Sequence, residues 1–123
     1  TAALQAGRLM LQELDRHFAA RQNFSFETTL SGRGYLRHIR RWQSAGYRVK
    51  LIFLKLDSAD EAVDRVAQRV RQGGHDIPET VIRRRFVSGL DNFSKHYAPL
   101  VDAWALYDNA GSQPLLIDWS EKP

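Results

Sequence analysis

Val49-Lys50-Leu51-Ile52-Phe53-Leu54 is the stretch that decides the fold. Its apolar residues fall on both faces of an extended chain, the pattern of an interior strand of a parallel sheet covered by helices on each side. On its N-terminal side, residues 34 to 45 place Leu36, Ile39 and Trp42 on one helical face and Arg37, Arg40 and Arg41 on the other. Gly46 supplies the stop. On its C-terminal side, Ser58 and Glu61 have the spacing of a capping box. The helix they open carries Ala62, Val63, Val66 and Val70 inward and stops at Gly73-Gly74. Helix, strand and helix in this order predict an α/β layer fold with parallel crossovers.

The same reading extends outward. Residues 2 to 19 form an amphipathic helix through Met10, Leu11, Leu14 and Phe18, with Gly7 placed for close packing. Phe24 to Thr29 reads as a short strand leaving through Ser31 and two glycines. Pro78 starts a helix with Ile82, Phe86, Leu90, Phe93 and Tyr97 on its apolar side, and Pro99 ends or bends it. Trp104 to Tyr107 and Leu115 to Trp119 read as two strands around an Asn109-Ala110-Gly111-Ser112 turn. Trp42, Trp104 and Trp119 sit among apolar neighbours and are expected to pack, not to stack on bases. No repeat or linker divides the chain, so residues 1–123 are expected to be a single domain. Its start at Thr1, inside a helical pattern, suggests a trimmed protein.

Composition narrows the function classes. The 123 residues are 43% hydrophobic and 26% charged, the makeup of a globular domain. No apolar run approaches the ~20 residues of a membrane span and no leader is seen, which predicts a cytoplasmic protein without membrane contact. The absence of cysteine excludes disulfides and thiolate metal sites. His17, His38 and His96 lack ligand spacing, so no structural metal is expected. Between Arg16 and Lys55 there are nine basic residues and a single acid, Glu27, which implies an anionic partner. None of the four lysines follows a glycine, so no phosphate-cradling Gly-x-x-x-x-Gly-Lys-Ser/Thr loop can be read.

Glu27-Thr28-Thr29-Leu30-Ser31-Gly32 ends an apolar strand, where α/β sheets place their ligand crevice. The arginines from Arg69 through Arg71 to Arg83, Arg84 and Arg85 face it across a Gly73-Gly74-His75 joint. A carboxylate and an arginine cluster so arranged suit phosphoryl transfer, whose charge spreads over oxygens that guanidinium groups bind bidentately. On a helix, at most two or three of these five arginines can reach one phosphate, with Arg69 or Arg83 the strongest candidates for a catalytic role. The bland alternatives stand beside these. Glu27 as an ion-pair partner of nearby arginines, the arginines as a solvated helical face, and His75 as part of a helix cap all fit the residues.

Several blocks together, Ala3-x-x-Ala6-Gly7-Arg8, Phe26-Glu27-Thr28-Thr29-Leu30-Ser31-Gly32, Gly46-Tyr47-x-Val49, Arg65 to Glu79 with its Gly73-Gly74-His75-x-Ile77-Pro78 core, and Tyr107-Asp108-Asn109, closely resemble the zeta-toxin-like P-loop kinases. The resemblance covers nearly the whole chain, in the family's order and spacing. It implies a P-loop kinase-like layered fold with a mainly parallel sheet whose N-terminal strand and phosphate-binding loop are missing here. That strand would lie between Phe24–Thr29 and Val49–Leu54, leaving a gap. The founding toxins phosphorylate a UDP-activated amino sugar from ATP, so the resemblance implies ATP and Mg2+ as cofactors of the intact protein and a UDP-sugar as one candidate substrate. Glu27 and Thr29 would bind substrate, residues 65–90 would form a lid with Arg69 and Arg83 catalytic, and Arg71 and Asn109 would contact the nucleotide, Asn109 being equally readable as a turn. An antitoxin, or self-association through the incomplete sheet, would supply a protein partner. The chain alone is expected not to transfer phosphate. The competing expectation is a non-enzymatic domain binding nucleic acid or an acidic protein through the Arg37, Arg40 and Arg41 face, with nucleic acid disfavoured.

Overall fold

The structure, a computed structural model, describes residues 2–123; Thr1, the first residue of the expected domain, lies outside them. In chain order the elements are α1 (Ala2–Ala19), α2 (Tyr35–Ser44), β1 (Lys50–Lys55), α3 (Ala59–Arg71), α4 (Glu79–Asn92), a π-helical turn (Phe93–Tyr97) running into a last helical turn (Ala98–Leu100), β2 (Ala103–Asp108) and β3 (Leu115–Glu121). The described sheet has the order β1-β2-β3. β1 and β2 are parallel, with Lys50 opposite Ala103 and Lys55 opposite Asp108. β3 returns antiparallel to β2, with a bulge at Leu106/Tyr107. The result is an α/β fold with one parallel crossover, made by α3 and α4.

The termini of the helices follow from local chemistry. Ser58 Oγ accepts from Glu61 N–H at 3.2 Å, while the Glu61 carboxylate reaches back to the N–H of Asp57 at 3.1 Å, a capping box displaced by one residue at its return bond. At the other end of α3, Gly73 N–H donates to Val70 C=O and Gly74 N–H to Arg69 C=O, with Gly73 at φ +94°. This pair of bonds is a Schellman cap, and it explains the Gly73-Gly74 dipeptide without a hinge.

The core lies on one face of the sheet. Leu14 of α1, Leu30, Ile39 and Trp42 of α2, Phe93, Tyr97 and Val101 are buried together, and Leu51, Phe53, Trp104 and Leu106 pack against them from the strands. Phe24 meets the Trp42 ring edge-on at 5.1 Å, so this tryptophan packs as expected. A carboxylate joins the sheet to α2: Asp102 Oδ2 accepts from Val49 N–H at 2.7 Å and from Gln43 Nε2 at 3.2 Å.

Five expectations need correction. β1 is an edge strand of the described sheet, and only one of its faces is covered, with Ile52 56% and Leu54 51% exposed, because no described element packs on the far side. Trp119, on the same open side, is exposed as well. Phe24 to Thr29 forms no strand among the described residues: residues 22–30 adopt no regular secondary structure and have no ladder partner. Side chains hold this segment instead, including Tyr47 Oη donating to Gln22 C=O at 2.9 Å. Between it and β1 lies a cavity of about 170 Å3 lined by Phe24, Phe26, Trp42, Val49 and Leu51 among others. The two segments are thus unpaired, in keeping with a strand order in which another strand separates them. Pro99 does not end the long helix; the helix first widens at Phe93–Tyr97, and Pro99 sits inside the final turn. A Cβ on Gly7 would meet nothing within 4 Å, so close packing is not its role. No helix among the described residues is long and apolar enough to cross a membrane.

Candidate functional site

The C-terminal end of β1 opens into a cavity of about 370 Å3 between α3 and α4. Two helical faces form its sides. From α3 come Ala62, Arg65, Val66 and Arg69, and from α4 come Ile82, Arg85, Phe86 and Gly89. Each set runs i, i+3, i+4, i+7, one stripe of an α-helix, so both helices contribute apolar packing to the same concave surface, α3 with two cations and α4 with one. Lys55 at the strand end, Thr29 and Asn109 complete the rim. Four cations (Lys55, Arg65, Arg69, Arg85) therefore converge where parallel strands present their ligand crevice.

These cations are not equally free. The Arg65 guanidinium is engaged, donating to the Asn109 carbonyl and lying 3.4 Å from the Glu61 carboxylate. Asn109 N–H in turn donates to Lys55 C=O at 2.8 Å, so Arg65 and the β1 end share one fixed corner. Lys55, Arg69 and Arg85 form no ion pair among the described residues. Unpaired cations gathered in a partly apolar cleft attract an anion more strongly than the same charges spread over a surface.

The expected site residues divide by position. Arg69, Thr29 and Asn109 line this cavity. Glu27 is exposed, outside its lining, and makes no ion pair with the surrounding arginines. Arg71 is exposed on α3 beyond the cavity stripe. Arg83 is held elsewhere: its guanidinium lies 2.6 Å from Asp60 and 3.0 Å from Glu79, pinning the first turn of α4 to the first turn of α3. Those two carboxylates, Asp60 foremost, hold the Arg83 guanidinium above its ordinary value. Arg85 was one of the five candidate arginines but was ranked behind Arg69 and Arg83, and Arg65 and Lys55 were not singled out for the site. The helical stripe Ile82-Arg85-Phe86-Gly89 is the sequence pattern that distinguishes Arg85 from Arg83 and Arg84.

Thr29 reaches the rim of the cavity from a constrained turn. Leu30 adopts φ +54°, a left-handed conformation unusual for a γ-branched apolar residue, and is 4% exposed. Thr28 Oγ1 accepts from Leu30 N–H at 3.2 Å, and the hydroxyls of Thr29 and Ser31 are 2.9 Å apart. The Arg37, Arg40 and Arg41 face of α2 is less available than its sequence suggests, because Arg41 pairs with Asp15 and lies 5.0 Å over the Phe18 ring. Burial, reinforced by Arg41 and Arg37, holds His38 below its ordinary value, so it adds no charge to that face near neutrality.

The profile of the family described as zeta toxin matches residues 2–116. This chain belongs to the zeta toxin family. An uncharacterized protein of Haemophilus influenzae is 31% identical over 72 residues, which cover 57% of this chain and 51% of that relative. The chain thus spans about half the length of the curated relative it matches. No solved structure matches it at a significant level. Family membership gives the α/β arrangement its setting, a kinase-like P-loop fold.

Proposed function

We propose that this zeta toxin family chain forms the substrate side and the lid of an ATP-dependent small-molecule kinase. The observation that carries the reading is the convergence of Arg69, Arg85, Lys55 and Thr29 on one cleft at the C-terminal end of β1. Residues 65–90 act as the lid within a domain spanning the chain. Arg69 and Arg85 neutralise phosphate oxygens, for which planar guanidinium groups are suited. Thr29 offers a hydroxyl to a sugar or sugar-phosphate, and Glu27, on the same segment, is available to a substrate hydroxyl. Asn109 borders the nucleotide side. Arg83 enters the chemistry only by leaving Asp60 and Glu79.

The described residues do not fit every part of such a reaction. They contain no group of three His, Asp or Glu side chains able to hold a metal ion, and the sequence has no glycine-rich loop ending in lysine to cradle β- and γ-phosphates. Without that loop the β- and γ-phosphates of ATP are not assigned to this chain's own residues, and what it contributes in this reading is recognition and charge neutralisation of an anionic substrate. A UDP-activated sugar is the proposed substrate, since its diphosphate matches the cations and its hydroxyls match Thr29 and Glu27.

Calorimetric titration of UDP-N-acetylglucosamine into the 123-residue chain tests the reading. Arg69→Ala and Arg85→Ala are each expected to weaken binding by roughly tenfold, the loss of one charge-assisted contact. Arg83→Ala is expected to leave affinity unchanged. Absence of binding, or binding indifferent to Arg69 and Arg85, would refute the proposal. ATP turnover by this chain, abolished by Glu27→Ala, would refute its assignment as a part that is inactive alone.

A further inference from the structure

The most tightly specified feature outside the cation cluster is the grip of α4 and the π-helical turn on residues 29–32. Asn92 is the buried polar residue of the described chain, 6% exposed, and its Nδ2 donates to Leu30 C=O at 2.7 Å. Tyr97, 1% exposed, donates its hydroxyl to Gly32 C=O at 2.9 Å. Gly89 lies so close that a Cβ there would be 2.7 Å from Thr29 C=O. Two hydrogen bonds therefore hold the carbonyls of Leu30 and Gly32, and the missing side chain of Gly89 leaves room for that of Thr29.

The helix geometry is adapted to this grip. In a regular α-helix, residues five apart point about 140° away from each other, so Asn92 and Tyr97 would not both face one short turn. The π-helical Phe93–Tyr97 segment breaks that rule and sits between the two donors. Leu30 accepts a left-handed backbone, and a buried amide is committed to its carbonyl, a group that is costly to leave unpaired. Burial holds the Tyr97 phenol above its ordinary value, so it remains a donor throughout the neutral range.

The same element meets the cavity at its α4 side and at the turn carrying Thr29. α4 lines it with Arg85 and Phe86, and from Gly89 onward it fixes the turn that carries Thr29. We propose that Asn92, with Gly89 and Tyr97, is a positioning residue that sets Thr29 at a fixed distance from the arginines and so selects ligands carrying a hydroxylated group beyond the diphosphate. This rests on the function proposed above. It assigns the anion to Arg69 and Arg85 and the discrimination of the sugar to the clamped turn.

The two ligands UDP and UDP-N-acetylglucosamine separate those contributions. In the 123-residue chain, Arg85→Ala is expected to weaken both. Asn92→Ala is expected to lower the preference for UDP-N-acetylglucosamine over UDP by roughly tenfold, the worth of one buried hydrogen bond, while UDP affinity holds. Tyr97→Phe keeps the ring and removes only the donor, so it provides the same readout in a variant whose packing is intact. Amide hydrogen exchange should accelerate at Leu30 to Gly32 in both variants. A wild-type chain that prefers the sugar nucleotide, with that preference unchanged in Tyr97→Phe and in folded Asn92→Ala, overturns the positioning role alone. A wild-type chain that binds neither ligand overturns the kinase reading and this inference with it.

Discussion

Asp102 shows how one carboxylate holds two elements. Its Oδ2 receives the N–H of Val49, just before β1, and the amide of Gln43 at the end of α2. The hydrogen bond from Val49, with Gln43 second in support, pulls the Asp102 carboxyl below its ordinary value. A depressed carboxylate contributes stability that is complete above its unfolded value and is lost as pH falls through the folded one. Asp102→Ala should therefore cost about 1–2 kcal/mol at neutral pH in urea denaturation, with the deficit relative to wild type shrinking under acid conditions. A deficit that stays constant with pH would deny the charge any part in it. At this scale the site was partly legible. Thr29, Arg69 and Asn109 are placed by strand-end and family position, whereas Arg83 looks as eligible as Arg85 until its partners are known. Asp60 lies 23 residues away from Arg83 in sequence, and no local pattern announces that pair.

At the scale of elements, helices were legible because period and caps agree, as in α3, where Ser58 and Gly73-Gly74 mark both ends. Gly73 carries the left-handed conformation of that C-cap. Gly73→Ala should destabilise the chain by about 1 kcal/mol, read from thermal or urea unfolding, since a Cβ there is strained even though space is open. A neutral result would mean that the cap relaxes without cost. The irregular segment 22–30 was less legible. Its residues have strand propensity, but a strand is made by a ladder partner, and propensity carries no information about whether one is present. The widening of α4 into the π-helical turn was equally hidden. It accompanies the bonds that Asn92 and Tyr97 make to residues more than 60 positions away, which the Phe93-Ser94-Lys95-His96 sequence does not announce.

For the whole molecule, the decisive feature is the open side of the sheet. Ile52 of β1 pairs with Ala105 of β2, which pairs with Trp119 of β3, so the three form one cross-sheet row. Leu54, Tyr107 and Leu116 form the next. The side chains of Ile52, Leu54, Leu116 and Trp119 are each more than half exposed in these rows. The alternation that hides Leu51, Phe53, Trp104 and Leu106 must present its other phase on the opposite face, and there the two-sided apolar composition of β1 finds no cover among the described residues. A contiguous apolar surface of this kind favours association over free solution. The unpaired edge of β1 adds backbone donors and acceptors in the plane of the sheet, beside that face. The expected consequence is concentration-dependent self-association in sedimentation velocity, undiminished by added salt because burial of apolar surface, not ion pairing, drives it. Ile52→Thr combined with Trp119→Thr keeps β-branched residues in the strands while removing most of the apolar row, and should shift the chain toward monomer without unfolding it. A wild-type chain that stays monomeric at its highest soluble concentration would show that the face is tolerated by water, and association dispersed by salt would transfer the cause to the basic surface instead.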